Sequence, residues 1–103
     1  MRTNHTLERL ARGETVFGCA IQYYRCPEIA RLFAAAGFDY VFIDTEHGGF
    51  DLETVQDMVA ASVAAGITPI VRVSELLYSL IARTLDVGAQ GLILPRVESV
   101  TKM

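Results

Sequence analysis

AAAGFDYVFID, residues 34–44, runs from small helix-forming residues through one glycine into an aromatic and β-branched segment that ends on an aspartate. Glycine just past a helical segment supplies the left-handed conformation on which many helices stop. YVFID (40–44) is then apolar at nearly every position, so neither face suits water, and a strand in a sheet covered on both sides is the expectation. The same grammar returns as VAAGITPIVRV at 63–73 and DVGAQGLILP at 86–95. The glycines fall roughly 22 to 29 residues apart, the length of one βα unit. Strands alternating with helices imply right-handed crossovers and a parallel sheet.

Working outward, TVFGCAI (15–21) reads as the first strand and CPEIARLFAAAG (26–37) as a helix with Pro27 in its first turn and Gly37 past its end. LETVQDMVAASVAAG (52–66) spaces Leu52, Val55, Val59 and Val63 along one helical stripe, with Asp51 placed to cap its start and Gly66 to end it. TPIVRV (68–73) is the third strand. Residues 76–87 carry Leu77, Leu80, Ile81 and Leu85 at helical spacing, and GLILPRV (91–97) is the fourth strand. A leader helix over about 4–12 precedes them all. GCAIQYYRCPE lacks the glycine-rich phosphate turn of a dinucleotide fold, which favours a barrel. The expected class is α/β, a parallel (β/α) barrel of the TIM type with about four of its eight units present, as a single domain over residues 1–103.

An apolar fraction of 51 % in 103 residues supports a real core. The net charge of −3 and the scattered basic residues argue against nucleic acid as a partner. No apolar run approaches the ~20 residues of a membrane span, and MRTNHTLERLARGE is too polar for a secretory signal, so the expectation is no membrane and a cytoplasmic location. Cys19 and Cys26 read as a reduced pair rather than a disulfide framework; Cys26, set in a helix first turn, lacks a basic neighbour to activate it. His5, in a polar leader, reads as surface.

In a parallel α/β sheet or barrel, ligands gather where the C-terminal ends of the strands open into loops. Asp44, Glu46 and His47 stand at or past the end of the second strand, Arg72 near the end of the third, and Arg96 near the end of the fourth. Acid, imidazole and guanidinium thus converge on one rim. Asp44 three positions before His47 is placed to fix the ring in one tautomer while its other nitrogen handles a proton. Asp44 has a plainer alternative, satisfying loop amides, and Arg72 another, pairing with Asp44 or Glu46 because an unpaired buried guanidinium is costly. Arg96 beside Glu98 reads as a solvated ion pair. D-x-E-H in a loop has no established metal-ligand spacing.

FDYVFIDTEHGGFD (38–51), PIVRV (69–73) and LDVGAQGLILPRVES (85–99) together resemble the HpcH/HpaI aldolase family, the metal-dependent class II pyruvate aldolases, which include 2,4-dihydroxyhept-2-ene-1,7-dioate and 2-keto-3-deoxy-acid aldolases, with the citrate lyase β subunit more distant. The resemblance implies a carbon-carbon lyase of sugar-acid or aromatic catabolism that cleaves 4-hydroxy-2-oxo acids to pyruvate and an aldehyde. By that resemblance His47 is the catalytic histidine and Asp44 its dyad partner in water-assisted proton transfer. Arg72 binds the pyruvate carboxylate and carbonyl oxygen and stabilises the enolate, and Asp86 matches an aspartate near a subunit boundary. Glu46 does not match the family's metal-binding glutamate. The divalent metal, Mg, Mn or Co, is expected on a glutamate and an aspartate beyond Met103, so no metal ligand is assigned within this chain. A homo-oligomer, hexamer or trimer, is likewise implied. The contrasting expectation is a catalytically silent half-barrel that serves as a structural module and self-associates through its edge strands one and four.

Overall fold

The computed structural model describes residues 3–99. Helix α1 (His5–Ala11) comes first, followed by β1 (Gly18–Ile21), α2 (Glu28–Ala35), β2 (Tyr40–Asp44), α3 (Leu52–Ala65), β3 (Thr68–Arg72), α4 (Tyr78–Asp86) and β4 (Gly91–Ile93). The strands pair in parallel in the order β1-β2-β3-β4, leaving β1 and β4 as the edges.

Strand period sorts the side chains onto two faces. Ile21, Val41, Ile43 and Val71 lie on the face packed by the helices and are buried together with Ala30, Val55, Met58 and Val59. Tyr40, Phe42 and Ile70 point the other way and are only half-buried, and Ile93 is 37 % exposed. The helices therefore cover one face of β2, where its composition anticipates cover on both. On the open face the Tyr40 ring fills the space where Gly18 would carry a side chain, since a Cβ there would meet the ring at 2.3 Å.

The ends of the elements follow local chemistry. β1 starts at Gly18 rather than 15, because Asp39 takes the place of a ladder partner: its carboxylate accepts from the Phe17 amide and its own amide donates to the Phe17 carbonyl. Pro27 stands at the N-cap of α2, so Cys26 lies ahead of the helix and exposed, outside the first turn. Asp51 caps α3 by accepting from the Thr54 amide at 2.8 Å, and Gly66 ends that helix at φ 81°. The buried stripe of α3 is Val55, Met58, Val59 and Ser62, with Leu52 and Val63 only half-buried. Ser62 is accommodated there because its hydroxyl donates to the Met58 carbonyl at 2.7 Å. Leu77 occupies the N-cap of α4, and β4 stops at Ile93, two residues before Pro95, instead of running to 97.

α1 closes the N-terminal end of the sheet. The Thr6 hydroxyl lies 3.1 Å from the Asp39 carbonyl ahead of β2 and 2.8 Å from the Thr68 hydroxyl that begins β3, while the Asn4 amide donates to the Gln90 carbonyl ahead of β4. Arg9 adds an ion pair to Asp39. With that end tied off, the C-terminal ends of the strands form the open rim.

Candidate active site

Parallel register pairs Asp44 with Arg72, each the last residue of its strand, and pairs Arg72 with Ile93. Acid and guanidinium therefore lie side by side on the open face by the geometry of the sheet alone. Asp44 is fully buried, and its carboxylate accepts from several donors at once. Oδ1 takes the amides of Glu46 and His47, both at 3.0 Å, and Arg72 Nε at 3.1 Å. Oδ2 takes Arg72 Nη2 at 2.5 Å and the Gln22 side-chain amide at 3.1 Å. Burial works to raise the Asp44 pKa, but hydrogen bonds from Arg72, the His47 amide and Gln22, with the charge of Arg72, prevail and hold the carboxyl well below the usual carboxylate range. The hydrogen bond to Asp44 in turn raises Arg72.

Two readings of the sequence meet here. Asp44 satisfies loop amides and also pairs with Arg72. The Arg72 guanidinium is held flat by the bidentate contact and lies 5.0 Å from the centroid of the Phe42 ring, two residues before Asp44 on the same face. Its Nη2 also reaches His47 Nδ1 at 2.9 Å. Guanidinium only donates, so Nδ1 is the acceptor in this contact and Nε2 carries the ring proton. The tautomer of His47 is therefore set by Arg72. Asp44 Oδ2 stands 3.5 Å from Nδ1, within ion-pair reach, while Oδ1 accepts from the His47 backbone amide. The His47 side chain is 58 % exposed and open to the rim. Among the described residues Arg72 Nη1 has no acceptor, which leaves two N–H groups for an incoming oxygen.

Glu46 is almost buried and bridges two cations: Oε1 lies 3.5 Å from Arg72 Nε, and Oε2 lies 3.4 Å from Arg96 Nε. Arg96 thus meets Glu46 across the rim. Asp86 is not brought to this site. It is exposed at the C-terminal end of α4, which leads back to the start of β4.

Four further residues support the site without a signal in the sequence as plain as a charge at a strand end. Gln22 directly follows β1, the position where a rim residue belongs, and that strand-end rule alone would have flagged it. Gly48 allows the His47 loop to fold onto the backbone, since a Cβ there would stand 2.2 Å from the Gln22 carbonyl oxygen and 2.4 Å from that of Asp44. Arg25 Nη2 donates to the Gly49 carbonyl at 2.6 Å and ties the same loop to the segment before α2. On the other side, the Thr45 amide and hydroxyl both donate to the Arg72 carbonyl, at 3.1 and 2.6 Å.

A family model of the HpcH/HpaI aldolase/citrate lyase domain matches residues 24–103. The chain belongs to this family. Its residues Asp44, Glu46, His47 and Arg72 all fall within the matched region. The chain is 36 % identical over 90 residues to a hydroxypyruvate/pyruvate aldolase of Roseobacter denitrificans, covering 87 % of this chain and 35 % of that protein. It is 30 % identical over 97 residues to a 4-hydroxy-4-methyl-2-oxoglutarate aldolase of Chaetomium globosum, covering 93 % of this chain and 36 % of the relative. Among solved structures, the HpcH/HpaI aldolase from Desulfitobacterium hafniense superposes with a TM-score of 0.88 at 31 % identity, over 94 % of this chain and 38 % of that one. The chain thus spans little more than a third of the length of the curated relatives it matches.

Asp44 spends its carboxylate on hydrogen-bond donors and Glu46 lies between two guanidinium groups. Among the described residues no group of three His, Cys, Asp or Glu side chains is placed to hold a metal ion. The site as built from the described residues does not fit a metal. Among the described residues no helix is long and apolar enough to cross a membrane.

Proposed function

We propose that the whole protein is a carbon-carbon lyase that cleaves a 4-hydroxy-2-oxo acid to pyruvate and an aldehyde, and runs in reverse as an aldol addition. The observation that carries this reading is the contact between Arg72 Nη2 and His47 Nδ1, which puts an oxyanion holder and a basic nitrogen at one point on the rim. In the cleavage direction the C4 hydroxyl proton leaves, the C3–C4 bond breaks, and its electron pair passes into the enolate of pyruvate, which then takes up a proton. His47 Nδ1, whose lone pair Arg72 Nη2 holds until substrate oxygens draw that N–H away, is the acceptor for the hydroxyl proton, directly or through one water. Arg72 Nη1 offers its pair of N–H groups to the oxygens of the 2-oxo acid, where negative charge grows as the enolate forms. Asp44 keeps Arg72 flat and the His47 loop folded, so the two groups are set before substrate arrives.

The family relationship supports a divalent cation for the whole enzyme, with its ligands outside this chain. Pyruvate release by the full-length protein, followed by a coupled reduction with Mg, Mn or Co supplied, tests the reading. Turnover that disappears on chelation and returns with metal is the expected result; absence of pyruvate from every 4-hydroxy-2-oxo acid tried sinks it. Cytoplasmic residence and a homo-oligomer, for which Asp86 is a boundary candidate, belong to the same proposal.

The open sheet face and the edges β1 and β4 favour a second reading for the 103-residue chain in isolation, as a structural half-barrel that self-associates without turnover. Sedimentation of the isolated chain as a stable monomer counts against that reading.

A further inference from the structure

Gln22 completes a row of side chains that crosses three strands. Ile21 at the end of β1 pairs with Ile43, so Gln22 stands one step on, opposite Asp44, and Asp44 in turn pairs with Arg72. Strand order sets β1 and β3 on opposite sides of β2. Asp44 Oδ2 accordingly receives a donor from each neighbour, Arg72 Nη2 at 2.5 Å and Gln22 Nε2 at 3.1 Å. The backbone of Gln22 meets the site as well. Its carbonyl oxygen backs the turn after His47 so closely that a Cβ on Gly48 would stand 2.2 Å from it. One uncharged residue therefore touches both the buried acid and the loop that carries the base.

When His47 Nδ1 takes the C4 hydroxyl proton it changes from acceptor to donor, and it can no longer face Arg72 Nη2, which only donates. The new N–H needs an oxygen. Asp44 Oδ2 lies 3.5 Å from Nδ1, nearer than Glu46 Oε1 at 3.8 Å. Among the described residues Asp44 Oδ1 already receives the Glu46 and His47 amides and Arg72 Nε, while Oδ2 receives Arg72 Nη2 and Gln22, so Oδ2 is the oxygen with room. Resting on the lyase reading above, we infer that Gln22 is a positioning residue that holds Asp44 Oδ2 in reach of the His47 ring while Arg72 turns to substrate. Gln22 acts through Asp44. It fixes the oxygen toward which the newly charged ring turns, so its effect falls on proton transfer and not on substrate binding. Arg72 keeps its own contacts with both Asp44 oxygens, and the grip on the 2-oxo acid does not depend on Gln22.

The experiment uses the full-length protein with its divalent metal and measures pyruvate release from 4-hydroxy-2-oxopentanoate. Gln22→Met keeps the length of the side chain and removes the donor. It should lower kcat about tenfold, the scale of one hydrogen bond to a charged group, while KM stays within about twofold. Gln22→Asn draws the amide back by one methylene, guards against loss of fold in the first variant, and should show the same split. A residue with a merely structural role would lower the thermal midpoint and leave kcat of the folded enzyme alone. Because Gln22 acts on His47 through Asp44, adding Gln22→Met to His47→Ala should cost less than about twofold of the residual rate. A loss that carries over in full to that background, a change in KM as large as that in kcat, or a kcat near that of the unaltered protein each overturns the inference and leaves the lyase reading standing. Loss of fold in both Gln22 variants overturns it too, since Gln22 is then a structural residue. If the unaltered protein releases pyruvate from neither this nor any other 4-hydroxy-2-oxo acid, the lyase reading fails and this inference falls with it.

Discussion

Asp44→Asn is the most informative single change, because it keeps the shape of the side chain and removes only its charge and one acceptor. The unaltered carboxylate is fully buried and receives Arg72 through both oxygens, at 3.1 and 2.5 Å, with Gln22 and two loop amides besides. An amide cannot satisfy all of these donors, since its NH2 group faces the guanidinium in either orientation, together with Gln22 at the Oδ2 position or with the two loop amides at the Oδ1 position. Removing one partner of a buried ion pair costs about 3–5 kcal/mol. Arg72 retains some contact with water, its side chain being 23 % exposed, so the low end, about 3 kcal/mol, is expected. Urea denaturation of the full-length protein, monitored by circular dichroism, should show this as a lower midpoint at unchanged slope. The pH dependence supplies a second check. The folded pKa of Asp44 is depressed, so between that value and the unfolded value near ~3.9 the unfolded state binds more protons, and stability rises with pH. The contribution is complete above about pH 5 and fades as pH falls below about 4, so the gap between the two proteins should narrow in acid. A difference under about 1 kcal/mol at neutral pH, or one that does not shrink on acidification, refutes the account of Asp44 as the ionised anchor of Arg72.

Arg72→Lys should abolish most pyruvate release, about a hundredfold or more, because an ammonium cannot bridge both Asp44 oxygens and still present a flat pair of donors; near-normal turnover in this variant contradicts the oxyanion role. His47→Ala should lose a similar factor while thermal unfolding stays close to that of the unaltered protein, since the ring is largely exposed; a large drop in midpoint would reassign it to structure. Gly48→Ala drives a Cβ to 2.2 Å from the Gln22 carbonyl oxygen, so a stability cost of about 1–3 kcal/mol and a fall in kcat are expected together, and an unaffected enzyme would mean that the loop does not need this close approach.

The rim could be read from strand polarity, because in a parallel sheet every strand end of one kind lies on one side, and residues 44, 46, 47, 72 and 96 all sit past or at such an end. Gln22 obeys the same rule, but a glutamine carries no charge to mark it and its role depends on Asp44 reaching across from β2. The unbroken apolar character of β2 predicts cover on both of its faces. The helices supply only one face, and Phe42 and Tyr40 on the other remain half-buried. Asp86 shares its charge with the site residues yet lies at the far end of α4, where helix direction, invisible to a count of acids, carries it away.

By itself the sequence determined the order of helices and strands, the glycines that end them, the Asp51 cap and the strand ends that carry acid and base, because each of these is dictated by residues within a few positions of one another. Only the tertiary structure decided that Asp44 pairs with Arg72 in register, that Arg72 rather than Asp44 selects the His47 tautomer, and that Glu46 holds Arg96 beside them. Those contacts join segments up to some fifty residues apart, and hydrogen-bond geometry over such separations is set by how strands lie against each other, a property that no local pattern of residues contains.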